Sequence, residues 1–333
     1  ELTLGWGDGT SSIINRTGGT MASGCTTPAT GGSPISGYPN TQVNKYIGTH
    51  TYPGPATYML KMKDPNRVAG IDNIQNSVNT AFYLQTEITI SPFAGCNSTP
   101  AFTTIPLDKA CVGHCFYHSP GAVDPENDSL SYAIGPPLDT TGLPFSPFIC
   151  VMPDAPCTSN TPHGAGGNMT IDPVTGIMSW CSPTCQGKFN VVIYVYEWRK
   201  IGATRVKVST VMREMEIDVA ACNNDNPDIP DLPDLCIDAG STVNFNFTVT
   251  DPNNDNIELT TYGTAFAASP AATVTPSGAG IYTPQPVAAN FNWNTTCDQV
   301  RLQPFTVILR ARDNDLQVPL LDIETFTIRV VSP

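Results

Sequence analysis

Three observations predict an all-β chain built of tandem sandwich domains. An acidic turn of the form Asp-Pro-x-Asn-Asp occurs twice, at 124–128 (DPENDSLSY) and 251–255 (DPNNDNIELT), and each copy runs into alternating residues suited to a half-buried strand. Gly, Pro, Ser, Thr and Asn fill the gaps between short apolar runs, and helix-forming stretches are nearly absent. Charged residues are only 14% of the chain, against roughly 25% in an average soluble domain.

Length and charge bound what such a chain does. Its 333 residues allow two or three cores of ordinary size. A net charge of -13 repels phosphate backbones and anionic lipid, so nucleic acid is excluded as an expected partner and a cation-binding surface is favoured. Eleven cysteines are a hazard in a reducing cytosol but suit disulfide stapling in an exported, extracellular protein. The longest apolar run, Phe189 to Tyr196, is too short to span a bilayer, and no basic-then-apolar leader is visible, so no membrane insertion is expected. The chain opens at Glu1, as expected of a processed product or a fragment.

The first segment, 1–92, begins LTLGWGDGT and resumes after a Gly/Ser/Thr-rich insert with YIGTHTYPGPATYMLKMKDPN. Asp8 and Gly9 predict a tight turn after a strand; Thr51, Tyr52, Tyr58, Leu60 and Met62 read as two strand edges around a Pro-Gly turn. Trp6 to Gly9 with His50 to Gly54 and Tyr58 resembles the WGDG and HTY-PG-Y signature of the polycystic-kidney-disease (PKD) type of immunoglobulin-like domain. That resemblance implies a strand or two before Trp6. Only five residues precede it, so this domain is expected to be N-terminally incomplete, with an uncovered apolar edge at Leu2 and Leu4.

The segments 93–220 and 221–333 align once the acidic turns are superposed. Asn97 to Pro100 then matches Asn224 to Pro227, Cys111 matches Cys236, Trp180 matches Trp293 and Glu197 matches Asp313. Both segments resemble cadherin-like, dystroglycan-type immunoglobulin-like domains, in which an Asp-Pro-Asp-Gly-Asp turn and a late-strand Asp surround calcium. The resemblance implies calcium held by Asp251, Asp255 and Asp313, with Asn224 or Asp225 from the entering linker and Asp315 nearby. In 93–220 the matching set is Asn97, Asp124, Asp128 and Glu197. Both turns depart from the pattern at the central acidic and Gly positions.

The same alignment predicts disulfides Cys236–Cys297, Cys150–Cys157 and Cys96–Cys222, with Cys111 and Cys115 sharing Cys181 and Cys185. Cys111, His114, Cys115 and His118 look like a zinc cluster, but strand alternation sends thiols and imidazoles to opposite faces, and oxidised cysteine is no thiolate ligand. Nucleophile and base arrangements are absent, and the four tryptophans read as core residues, so no enzyme is expected.

Taken whole, WGDGT, GTHTYPGPATY, DPENDSLSY and WNTTCDQVRLQPF resemble the large surface proteins of Bacteroidota exported by the type IX system, gliding-motility adhesins among them. That resemblance implies a non-enzymatic, adhesive cell-surface filament, with neighbouring copies or domains of the same protein, glycans or abiotic surfaces as partners. It also implies O-linked sugar at Ser129 and Thr140. The rival reading is a carbohydrate-binding accessory module of a secreted hydrolase.

Overall fold

The computed structural model describes residues 1–18, 33–35, 38, 41–146, 148 and 168–333. Among them the regular structure is strand throughout, broken by 3-10 turns at Ser77–Asn79 and Cys297–Gln299. The chain is all-β, its described strands gathered into several sheets, and no helix among the described residues is long and apolar enough to cross a membrane. It divides into two compact units, one of 1–103, 122–149 and 190–215, the other of 104–121, 150–189 and 216–333.

One sheet runs in the order Ser129–Gly135, Gly187–Ile201, Thr204–Ala220, Phe82–Ile90, Ala56–Asp64, Leu2–Gly5, Ser11–Ile14. The strand at Phe82–Ile90 pairs with Ala56–Asp64 along its length and with Ser209–Val211 on its other side. Residues before 92 therefore share a sheet with strands beyond 129. Leu2–Gly5 is bonded both to Ser11–Ile14 and to Ala56–Asp64, which corrects the expectation of an uncovered edge there. The outer strand is Ser11–Ile14, where Ile13 is exposed.

The PKD-like signature residues meet in one cluster. Trp6 is buried and stacks on His50, which lies edge-on to Tyr52, which packs on Tyr58. The His50 imidazole bonds the Asp8 carboxylate at 2.7 Å, and the Tyr58 hydroxyl donates to the Gly54 carbonyl at 2.7 Å. Gly7 has φ +88°, and a Cβ there would sit 2.5 Å from the Met59 nitrogen, so only glycine fits. Ala56–Asp64 forms the strand after the Pro-Gly turn, but Thr51 and Tyr52 lie outside any strand, and the Tyr52 ring joins the aromatic cluster instead.

A single pairing scheme occurs twice. Leu107–Cys111 runs parallel to 216–220, as Leu235–Asp238 runs parallel to 328–331. Cys115–His118 pairs with Met178–Cys181 as Thr242–Val249 pairs with Val287–Asn294, and in both pairs the inner strand carries the fully buried tryptophan, Trp180 or Trp293. Ser129–Gly135 pairs with Gly187–Ile201 as Ile257–Tyr262 pairs with Phe305–Arg312. In the later copy Val249, Leu259, Phe291, Val307 and Ile328 belong to one continuous core drawn entirely from 229–330.

Disulfides join Cys111 to Cys222 and Cys115 to Cys181. Cys111 lies opposite Ala220 in the parallel pair, which leaves Cys222 two residues on, with the two Cα atoms 5.8 Å apart. Cys115 and Cys181 face each other across an antiparallel pair. Cys185 is disulfide-bonded as well. Cys96, Cys236 and Cys297 are free and exposed, so the expected Cys96–Cys222 and Cys236–Cys297 bonds are not formed. The cause is register. Cys111 is buried, whereas Cys236 stands outward between Leu235 and Ile237, which pack on the core; aligning the two cysteines misplaces a strand by one residue and reverses its faces. The expected Cys150–Cys157 bond lies outside the described residues. With Cys111 and Cys115 both oxidised, no thiolate pair remains for zinc, and His118 bonds Asp108 at 3.1 Å.

Candidate metal centres

Both acidic turns fold by the same bonds. Asp124 Oδ1 accepts from the Glu126 amide at 3.0 Å and the Asp128 amide at 2.7 Å; Asp251 Oδ1 accepts from Asn253 at 2.8 Å and Asp255 at 3.0 Å. Proline at the second position presets the bend. Asn127 and Asn254 take the left-handed conformation, with φ of 62° and 64°. Asparagine tolerates that region, so it replaces the expected glycine without changing the turn. One oxygen of each leading aspartate is thus spent on the turn. The other, Asp124 Oδ2 or Asp251 Oδ2, is buried without a hydrogen-bond partner.

The linker asparagine enters each site in the same way. The Ser98 amide donates to Glu126 Oε2 at 3.0 Å, and its counterpart, the Asp225 amide, donates to Asn253 Oδ1 at 2.7 Å. The Asn224 amide nitrogen donates to Asp313 Oδ2 at 2.8 Å and to the Val318 carbonyl at 3.1 Å, and the Asn97 side chain bonds Glu197. That fixes which end of each amide faces the site. Asn97 Oδ1 and Asn224 Oδ1 are both buried without a partner. Each turn therefore presents a buried pair of acceptor-only oxygens, one carboxylate and one carboxamide, and the first site adds the orphaned Glu197 Oε1. Buried acceptors without donors are rare in folded proteins, and oxygen-only ligands are what a hard cation takes.

The sites differ around that shared pair. Asp124, Asp128 and Glu197 bring one ligand oxygen each within 4.8 Å of one another, so this buried acidic triad could hold a metal. A cation already stands at its rim: Arg199 donates to Asp128 through Nε at 2.7 Å and bonds the Ala94 and Cys96 carbonyls at 2.7 and 2.8 Å. Ser209 donates to Glu197. Among the described residues no Lys or Arg forms an ion pair with Asp251, Asp255 or Asp313 in the second site. Asp313 is fully buried and accepts from the Leu320 amide at 2.9 Å and the Asp315 amide at 3.0 Å. Two expected ligands do other work. Asp225 is largely exposed and faces His114 at 3.5 Å, and Asp315 Oδ1 closes the next turn on the Gln317 and Val318 amides at 2.8 Å each.

Burial dominates the electrostatics. Desolvation, aided by the Asp124 charge and opposed by bonds from Ser209 and Asn97, pushes the Glu197 carboxyl up to about 7. Asp313 is pushed up to about 6, again by burial first, with the Asp251 charge adding to it. Asp124 and Asp255 are raised by burial and by their acidic neighbours. Crowded, desolvated carboxylates of this kind are relieved by a bound cation.

Ser129 opens a strand and is half-buried, while Thr140 is exposed on a turn that Asp139 closes by accepting from the Thr141 amide at 2.8 Å. The orphaned oxygens and the Arg199 cap are what sequence reading missed. The signal for Arg199 was present, since Glu197-x-Arg199 aligns with Asp313-x-Asp315 and residues two apart share a strand face.

No protein-family model and no curated protein matches the chain. Solved structures similar to it include the human desmocollin-1 ectodomain, at 13% identity and TM-score 0.23, covering 88% of this chain and 50% of that one. Another is the sialic-acid-binding region of a Streptococcus sanguinis adhesin, at 10% identity and TM-score 0.26, covering 71% of this chain and 78% of that one. The tandem immunoglobulin repeats of Dlar match at 10% identity and TM-score 0.25, covering 70% of this chain and all of that one. Function has to be read from the side chains themselves.

Proposed function

We propose that this chain is a non-enzymatic, extracellular structural and adhesive protein whose immunoglobulin-like repeats are stiffened by calcium and disulfides. The observation that carries the reading is the duplicated pair of orphaned buried oxygens, Asn97 with Asp124 and Asn224 with Asp251, each beside a buried late-strand carboxylate. Calcium accepts carboxylate and carboxamide oxygens in an adaptable shell, which suits such a donor set. Asn97 and Asn224 lie in the segments leading into their repeats, so a bound ion would tie the entering chain to the turn and the late strand. Disulfides within 111–222 add resistance to unfolding.

The division 1–92, 93–220 and 221–333, the cell-surface filament and the kinship with type IX-exported gliding adhesins belong to the same proposal. Support for the last is the WGDGT and HTYPGPATY signature, whose residues form the Trp6 cluster. Neighbouring copies or domains of the same protein are the partners a filament requires. Thermal melting of the whole chain with calcium and with chelator tests the calcium part: a rise in Tm with calcium that Asp251→Asn abolishes supports it, and identical curves refute it.

A further inference from the structure

The outward face of the three-stranded sheet Thr242–Val249, Val287–Asn294, Thr273–Thr275 carries no charged side chain. The chain as a whole carries a net charge of -13. Its two long strands pair in a register that sets Thr242 opposite Asn294, Asn244 opposite Asn292 and Asn246 opposite Asn290. The amides form a ladder. Asn290 Nδ2 donates to Asn244 Oδ1 at 3.0 Å and to Asn246 Oδ1 at 2.9 Å, and the Thr242 hydroxyl donates to Asn294 Oδ1 at 2.7 Å. The edge strand Thr273–Thr275 adds outward threonines beside Asn292 and Asn290. The opposite face of the same strands lies in the core through Val243, Phe247, Phe291 and Trp293.

We infer that this face binds a neutral, hydroxyl-rich polysaccharide. Charge selects the partner: a polyanion is repelled by the chain as a whole, and a polycation finds no carboxylate on the face. Hydroxyls and carboxamides that are already oriented offer donors and acceptors at strand spacing without further side-chain ordering. The face has no aromatic platform, so each contact is weak, and binding depends on many contacts repeated along an extended polymer. Short oligosaccharides bind poorly to such a surface and insoluble polymer binds well. The inference deepens the adhesive reading and rests on it for its setting, but it makes no use of the calcium sites.

The test is retention of the whole chain on microcrystalline cellulose and on chitin, with alginate as the anionic control, in calcium and in chelator. Retention on a neutral polymer, absent on alginate, is expected in both buffers. In N244D/N292D it should fall by about ten-fold or more, and in N244A/N292A by several-fold, with both melting curves unchanged. Failure of the calcium reading would show only in the melts, whereas failure of this one shows only in retention. No retention on either neutral polymer, or equal retention by both variants, overturns the proposal. So does a dimer that N244D/N292D dissociates, which would make the face a contact between copies, or a glycan attached at Asn246 or Asn294, which would cover it.

Discussion

The two acidic turns share a backbone, a leading aspartate, a left-handed asparagine and an orphaned pair of oxygens, yet they answer their own charge differently. In the first, Arg199 reaches across the late strand and bonds Asp128. At the matching position of the second stands Asp315, so the rim of that site gains a negative charge where the other has a positive one. Burial raises both late-strand carboxyls, Glu197 to about 7 and Asp313 to about 6. The comparison teaches that one turn design is kept whether or not an internal counter-ion stands beside it. On the proposed calcium reading the second site, with no Lys or Arg paired to it among the described residues, is expected to take the ion first, and Arg199 competes for the acidic triad of the first.

The largest effect should come from Asp313→Ala. It strips the acceptor from the Asn224 side chain and from the Leu320 and Asp315 amides at a fully buried position. Leaving buried donors unsatisfied costs about 1–3 kcal/mol each, so a loss of about 3 kcal/mol or more is expected in urea unfolding, with or without calcium. A loss below about 1 kcal/mol would mean that Asp313 is not the keystone of the second turn.

Next in size is calcium linkage at Asp251. Calcium at a hundred times its Kd stabilises a one-site protein by about 2.7 kcal/mol. Asp251→Asn keeps the Oδ1 acceptor for the turn but removes the charge, so this increment should vanish while stability in chelator is retained. An unchanged increment would shift the site elsewhere.

Exchanging the rim charges sharpens the comparison further. Arg199→Met should open the first site to calcium, at a cost in chelator because its pair with Asp128 is largely buried. Asp315→Arg should weaken calcium at the second site by about ten-fold, the usual scale of one well-placed charge. Both are read by calorimetric titration. Equal affinities in the parent and both variants would show that the rim charge does not distinguish the turns.

The pH dependence tests the burial of the two late-strand carboxylates. Glu197 is raised from 4.5 to about 7 and Asp313 from 3.8 to about 6, so the folded chain holds protons that the unfolded chain has released. Stability in chelator should therefore decline as pH rises from about 4 to about 7. Calcium, which favours the ionised carboxylates, should flatten that decline. A Tm in chelator that rises over the same window would contradict the burial of these groups.

Much of the fold was legible because the turn chemistry is local. Asp-Pro-x-Asn-Asp dictates its own hydrogen bonds, strand alternation is explicit in TVNFNFTV, and the landmarks Asn97/Asn224 and Glu197/Asp313 align without gaps near the sites. Long-range facts were not legible. Nothing in FYLQTEITI says that it will pair with residues 209–211, and nothing in LCID says which face its cysteine takes, because a one-residue slip leaves the composition intact. Asp225 and Asp315 look like ligands by type and place, and their further contacts, with His114 and with the Gln317 and Val318 amides, are not legible in the sequence. Arg199 is hard to see in the sequence because a search for hard-cation ligands looks for oxygen, while Arg199 is itself a cation.

Calorimetric titration of calcium into the whole chain at neutral pH tests this account most directly. It predicts one dominant binding event, lost in Asp251→Asn, retained in Asp124→Asn and joined by a second in Arg199→Met. Heat of binding that survives in Asp251→Asn, or two equal sites in the parent chain, would contradict it.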